Sequence, residues 1–223
     1  MPRGRTIPEF LKKDDAKRLL EAPYLSNIRD RIILGLMLEC GLRAGELVPS
    51  RRQKTTYERN EDGKLVRDEK RNKIRTGVEK WISKGLRKQD FEYDDRLKTA
   101  RIKVIGGKGS KDRYVPIPID DLGLLIMEYI EKMNPEDLLF DISISSIDPL
   151  VKRYTKRANI KEKVWPHKLR HTFAVNALRA GWNIKELQVV LGHEHLSTTE
   201  KYLHITDEDL STVHKRHPIK YEE

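Results

Sequence analysis

Cysteine is almost missing from this 223-residue chain: Cys40 stands alone. No intrachain disulfide can form, and a reducing compartment is the expected setting. Long apolar runs are missing too. The most hydrophobic stretch, Ile32 to Cys40, falls well short of the ~20 residues a bilayer span needs. A buried structural thiol is expected within it. The opening Met1-Pro2-Arg3-Gly4-Arg5 is not followed by an apolar region, which argues against a secretory signal. The histidines come with no His-Glu-x-x-His motif and no acidic cluster, and nothing resembles a phosphate-binding P-loop. These absences lead to an expectation of a cytoplasmic protein with no membrane partner, no metal and no cofactor.

Charge, in contrast, is plentiful. There are 45 Lys and Arg against 35 Asp and Glu, a formal net charge of +10, with a sequence pI near 9.5. Such a balance favours a polyanionic partner, nucleic acid or an acidic membrane surface. Hydrophobic residues still make up 37%, which allows one substantial core, or a core with a small appendage.

Local signals describe a mainly helical α+β domain with a small antiparallel sheet. Helical spacing runs from Leu11 to Ala22 and stops at Pro23. Ser26 or Asn27 can cap a helix reaching Cys40, with Gly41 suited to its C-terminal end. Another helix begins near Arg43 and ends at Pro49. Strand signals at Ala100–Ile105 and Arg113–Ile117 flank a glycine-rich hairpin loop. Helices are expected again near Asp120–Lys132 and Ser145–Ala158, then from Pro166 to just before Gly181. Asn183-Ile184-Lys185-Glu186 and Ser197-Thr198-Thr199-Glu200 both have the form of capping boxes.

The stretch from Ser50 to Lys84 breaks this order. It has no hydrophobic period, and it holds twelve basic residues against six acidic ones. A solvated excursion is one reading of it. A nucleic-acid-contacting arm is the other, with Arg51, Arg52, Lys54, Lys70, Arg71, Lys73 and Arg75 as its contacts, joined by Lys111 of the later hairpin.

Chemistry is concentrated elsewhere. In His167-Lys168-Leu169-Arg170-His171, His167 and Arg170 share a helix face. A basic pair in the first turn opposes the helix dipole unless an anion binds there, although the motif by itself also reads as a surface His and Arg on an amphipathic helix. Gly41-Leu42-Arg43-Ala44-Gly45-Glu46-Leu47 supplies another arginine, with Glu46 placed to hold Arg43 or to form a plain surface pair. Leu191-Gly192-His193 is followed nine residues after the histidine by Tyr202.

Four stretches, GLRAGEL, GGKGSKDRYVPIP, HKLRHTFA and LGHEHLSTTEKY, occur in this order. Together they resemble the tyrosine recombinase (phage integrase, Xer-like) family over roughly Ile7 to Thr206. The resemblance implies the helical catalytic domain of that family. Arg43 and Arg170 would clamp the scissile phosphate, and His167 and His193 would hydrogen-bond it, with His167 also helping to take the tyrosine proton. Tyr202 would attack the phosphorus to give a 3′-phosphotyrosine. Lys108, ahead of Lys111, would protonate the leaving 5′-oxygen, and Glu46 would support the arginines. Double-stranded DNA is the implied partner, with self-association as a tetramer upon it, in the nucleoid of a prokaryotic host or its virus or plasmid.

Two departures from the family pattern stand out. The match begins almost at the first residue, so the chain reads as one catalytic domain, 1–223, without the family's N-terminal core-binding domain, either as a fragment or as a minimal enzyme binding DNA with one domain; residues 206–223 form a tail. The basic insertion at 50–84 replaces a short link. Competing readings are a type IB topoisomerase, which shares the chemistry, and a DNA-binding accessory protein with a decayed site, disfavoured because every expected side chain is present. A metal hydrolase built on His167, His171, His193 and His195 lacks the accompanying motif.

Overall fold

The computed structural model describes residues 8–23, 27–62, 64–66, 73, 75–106 and 112–203. At its centre lies α2 (Ile28–Leu38), in which Ile32, Ile33, Leu34, Leu36, Met37 and Leu38 are all buried. A helix apolar on every side has to be enclosed. It packs against α1 (Lys13–Glu21), α4 (Leu124–Ile130) and α6 (Pro166–Arg179). Its one buried carboxylate, Asp30, accepts hydrogen bonds from Arg153 Nη2 at 2.7 Å and Tyr154 Oη at 2.8 Å, which ties it to α5 (Ile147–Arg157). Cys40 is buried at the end of this segment, and burial holds its thiol pKa well above the ordinary value.

A three-stranded antiparallel sheet, in the order β3 (Phe91–Asp94), β4 (Thr99–Val104), β5 (Arg113–Ile117), covers one side. Along β4 the buried residues are Ala100, Ile102 and Val104, and along β5 they are Arg113, Val115 and Ile117. Period-2 alternation therefore sends an arginine to the core side of β5. The short helices α3 (Ala44–Leu47), α7 (Ile184–Leu191) and α8 (Ser197–Glu200) complete the fold, with a π-helical turn over Ile119–Gly123 leading into α4.

The largest difference from the sequence-based expectation is at the basic insertion. It contains an ordered antiparallel ribbon, not an excursion without structure: β1 (Pro49–Tyr57) pairs with β2 (Arg75–Lys84), Pro49 opposite Lys84 and Tyr57 opposite Arg75. Pairing continues past the strands through an Arg59–Leu65 bridge. A ribbon held by ladder hydrogen bonds needs no apolar stripe, so hydrophobic periodicity could not reveal it. Its base is anchored where Leu86 N donates to Leu47 O at 3.1 Å. Gly85 has φ +71°, and a Cβ there would meet Pro49 at 2.8 Å. The arm thus springs directly from the end of α3.

One capping expectation fails as well. Asn183 forms its box in full, accepting from Lys185 N and Glu186 N at 3.0 and 2.9 Å while Glu186 Oε2 accepts from Asn183 N at 2.8 Å. The Ser197 box does not form, because α8 starts at Ser197 itself with Leu196 in the cap position.

Candidate active site

Glu46 is the hub of the site. Its Oε2 accepts from the Arg43 backbone N at 2.7 Å, and its Oε1 accepts from Arg43 Nη1 at 2.9 Å. This closes the short turn of α3 and fixes the Arg43 rotamer. The same carboxylate accepts from Arg113 Nη2 at 3.0 Å and lies 3.9 Å from Arg170 Nη1. Three guanidinium groups thus surround one carboxylate, which leaves a surplus of two positive charges. Burial works against the Glu46 carboxylate, but Arg113, Arg170 and Arg43 outweigh it and hold its pKa down to about 2.

Arg170 lies deepest, its side chain 4% exposed. Its Nη1 donates to Gly41 O and its Nη2 to Leu191 O, so one fork joins the α2–α3 turn to the end of α7. Burial, together with Arg43 and Arg113, lowers its pKa to about 9 despite Glu46. Gly41 stands at φ +68°, and a Cβ there would run into the Phe173 ring at 2.3 Å. The glycine therefore lets the chain present its carbonyl to Arg170. A guanidinium so surrounded by like charge has a pKa that an incoming anion would restore.

Arg113 was not singled out in the sequence. Its Nε donates to Val190 O at 2.7 Å, and its side chain is 5% exposed. Nη1 is buried with no hydrogen-bond partner. Gly192, at φ +62°, packs against this guanidinium so closely that a Cβ would lie 3.0 Å from it. The signal was available: with Val115 and Ile117 facing inward, strand alternation puts Arg113 inward too, and an arginine facing a core needs a carboxylate.

Tyr202 follows α8 and is 1% exposed. Its hydroxyl forms a 2.7 Å hydrogen bond with His171 Nδ1. Burial raises its pKa to about 12, against the pull of Arg170 and Arg43. His193 Nδ1 pairs with Thr199 Oγ1 at 2.8 Å, and burial together with Arg170, Arg43, Lys201 and Arg113 lowers its pKa to about 3. His171 is lowered to about 4 by burial, Lys201, His167 and Arg170. Both half-buried imidazoles are therefore neutral at pH 7. His167 is exposed, its ring 6.4 Å from that of His171.

Of the residues the sequence pointed to, Arg43, Glu46, Arg170, His193 and Tyr202 fall in one region, with His167 beside it through His171. Lys108 and Lys111 lie outside the described residues, as do Lys70 and Arg71. Arg51, Arg52, Lys54 and Arg75 lie on the strands of the arm, and Lys73 lies beside it, its Nζ 5.5 Å from the centre of the Tyr57 ring. The sequence expectation put His167 at the tyrosine proton, whereas the structure puts His171 on that hydroxyl. Among the described residues no group of three or more His, Cys, Asp or Glu is placed to hold a metal ion. His171 and His193 each use Nδ1 within the protein. No helix among the described residues is long and apolar enough to cross a membrane.

A helical domain that gathers buried arginines round a carboxylate and sets a tyrosine beside them defines a class. The chain belongs to the phage integrase family, whose model matches residues 84–209. It is 34% identical over 211 residues to a tyrosine recombinase of Pseudothermotoga lettingae, covering 92% of this chain and 59% of that protein. With the tyrosine recombinase XerA of Thermococcus kodakarensis the identity is 32% over 222 residues, covering 95% and 64%. The chain thus spans about three-fifths of the length of these curated relatives. The crystal structure of a XerA recombinase superposes with a TM-score of 0.68 at 29% identity, covering 97% of this chain and 67% of that one. The fold is shared further with a XerH site-specific recombinase bound to difH substrate, at TM-score 0.63 and 21% identity, covering 93% and 53%.

Proposed function

We propose that this chain cuts and rejoins duplex DNA as the catalytic domain of a site-specific recombinase, through a 3′-phosphotyrosine on Tyr202. The observation that carries the reading is the placement of the Tyr202 hydroxyl, bonded to His171 and within the field of the paired Arg43 and Arg170. Arg43 and Arg170 neutralise the nonbridging oxygens as charge builds on phosphorus. Glu46 and Arg113 hold that pair in place. His193, and His167 from the open side, hydrogen-bond the same group. Lys108 protonates the departing 5′-oxygen. The phosphotyrosine conserves the energy of the broken phosphodiester, so religation needs no ATP, and every role is filled by a side chain.

The basic arm follows the duplex backbone, with Arg51, Arg52, Lys54, Lys73 and Arg75 as contacts, along with Lys70, Arg71 and Lys111. Strand exchange implies several copies on DNA, which is why a tetramer is the assembly we favour. A cytoplasmic, nucleoid-bound site in a prokaryotic host suits that substrate, and bacterial and archaeal relatives such as those above support it. The relatives' names favour recombination over type IB relaxation.

The test is covalent capture. Wild-type protein should form a denaturation-resistant adduct on a nicked duplex library with a randomised core, and Tyr202→Phe should bind the same DNA yet form none. Equal adduct in the variant would remove Tyr202 from the reaction.

A further inference from the structure

The proposed cleavage needs a group to receive the phenolic proton. The structure sets one directly against it: His171 Nδ1, 2.7 Å from Tyr202 Oη, with the rings tilted by 54°. His171 sits on α6 beside Arg170, so the helix that carries the deepest phosphate-clamping arginine also carries the imidazole that meets the nucleophile. Among the described residues, the titratable groups that act on it are Lys201 beyond α8, His167 one turn back on α6 and Arg170 next to it, none of them an anion. These groups and burial keep the imidazole unprotonated, leaving a ring nitrogen free to accept.

We infer that His171 takes the Tyr202 proton during cleavage and returns it during religation, an assignment that rests on the recombinase reading above. In the resting protein the proton stays on the phenol, because burial raises the phenol pKa to about 12 while the imidazole is held near 4. A bound phosphodiester changes this. Its negative charge offsets the cations that depress His171, and the phenol becomes acidic as Oη bonds to phosphorus. The Oη–P bond forms, the P–O5′ bond breaks, the phenolic proton passes to Nδ1 and O5′ receives its proton from the leaving-group acid. Religation reverses each transfer, so the imidazolium then protonates the departing tyrosine. Proton transfer is thus coupled to substrate arrival, and the free enzyme holds its nucleophile neutral and buried.

Two variants and one altered substrate test this. His171→Ala removes the ring, and His171→Asn keeps an acceptor near the Nδ1 position without a basic nitrogen. Both should form adduct at least about a hundredfold more slowly than wild type, the usual scale of acid–base assistance. The altered substrate is a strand ending in a 3′-p-nitrophenyl phosphate, joined to a 5′-hydroxyl strand in the Tyr202→Phe background. Its leaving group departs as an anion and needs no proton, so adding His171→Asn should leave joining unchanged. Cleavage by His171→Asn at the wild-type rate would reduce His171 to a positioning contact and overturn the inference. A fall in p-nitrophenyl joining as deep as the fall in cleavage would overturn it too, by making His171 a support of the phosphate clamp. If wild-type protein forms no adduct at all, the recombinase reading fails, and this inference fails with it.

Discussion

Arg113 and Arg170 lie inside the molecule, their side chains 5% and 4% exposed, each bonded to carbonyls or carboxylates from distant parts of the chain. The arm differs in every respect. Its described side chains from Tyr57 to Asp62, with Lys64 and Lys73, are exposed, and its order comes from backbone pairing. Both regions are rich in arginine and lysine, yet the same charge is worth very different amounts in the two places. An exposed pair contributes about 0–1 kcal/mol and is screened by salt. Removing one partner of a buried pair strands the other in a low dielectric and costs several kcal/mol. The site should therefore respond to single atoms, and the arm only to the sum of its charges.

The steepest expected loss is at Arg170. Arg170→Lys keeps the charge but cannot span Gly41 O and Leu191 O with one planar fork. Adduct formation should fall by about a hundredfold or more, and Arg43→Lys should act in the same direction. Single-turnover adduct rates on a duplex that the wild type cuts would check this. A normal rate for Arg170→Lys would place that arginine with the tolerant arm.

Next comes Arg113→Met, which leaves Val190 O without its donor while Glu46 keeps Arg43. Stability should drop by about 1–3 kcal/mol, read as a shift in the urea midpoint. Adduct formation should slow as well, because Glu46 loses the partner that braces it against the sheet. An unchanged midpoint would mean that the cost of leaving Nη1 unpaired cancels what Arg113 contributes.

Shortening the arm, with 52–82 replaced by a tight turn and the Pro49–Gly85 base kept, should weaken DNA binding without abolishing adduct on concentrated DNA. The log–log salt slope should flatten by about 0.9 for each phosphate that the shortened protein leaves unneutralised. A salt titration of both proteins on one duplex measures it, and coincident slopes would make the arm a protein-facing element.

Mild acid should act on the site and leave the arm's pairing alone. His171 and His193 are neutral in the fold with pKa values near 4 and 3, against 6.5 when free. The unfolded chain therefore binds more protons below pH 6.5, and stability should fall as pH drops from 6.5 toward 4. Glu46 extends the decline from about 4.5 down to about 2. Urea midpoints at pH 7 and pH 5 should differ for the wild type and draw together in a His171→Gln, His193→Gln double variant. Equal slopes in both proteins would show that other groups carry the acid response.

The punctuation of the helices was legible because it is local. Pro166 opens α6, Asn183 caps α7, and Gly41, Gly181 and Gly192 take positive φ within a few residues of their helix ends. The motifs around Arg43, Arg170, His193 and Tyr202 were legible as well, since each is a short string with its own spacing. The contacts between those strings could not be read in the same way. Tyr202 meets His171 across 31 residues of chain, Arg113 reaches Glu46 across 67, and Arg170 reaches Gly41 across 129. The arm's register likewise depends on two strands finding each other through backbone groups common to all sequences. Residue type and spacing specify which groups can do chemistry, because those depend on covalent structure and on a few neighbouring dihedrals. Which imidazole faces the phenol, and which arginine fills the last place at the carboxylate, depend on how α6, α7 and β5 pack, and that packing is set by the whole core at once.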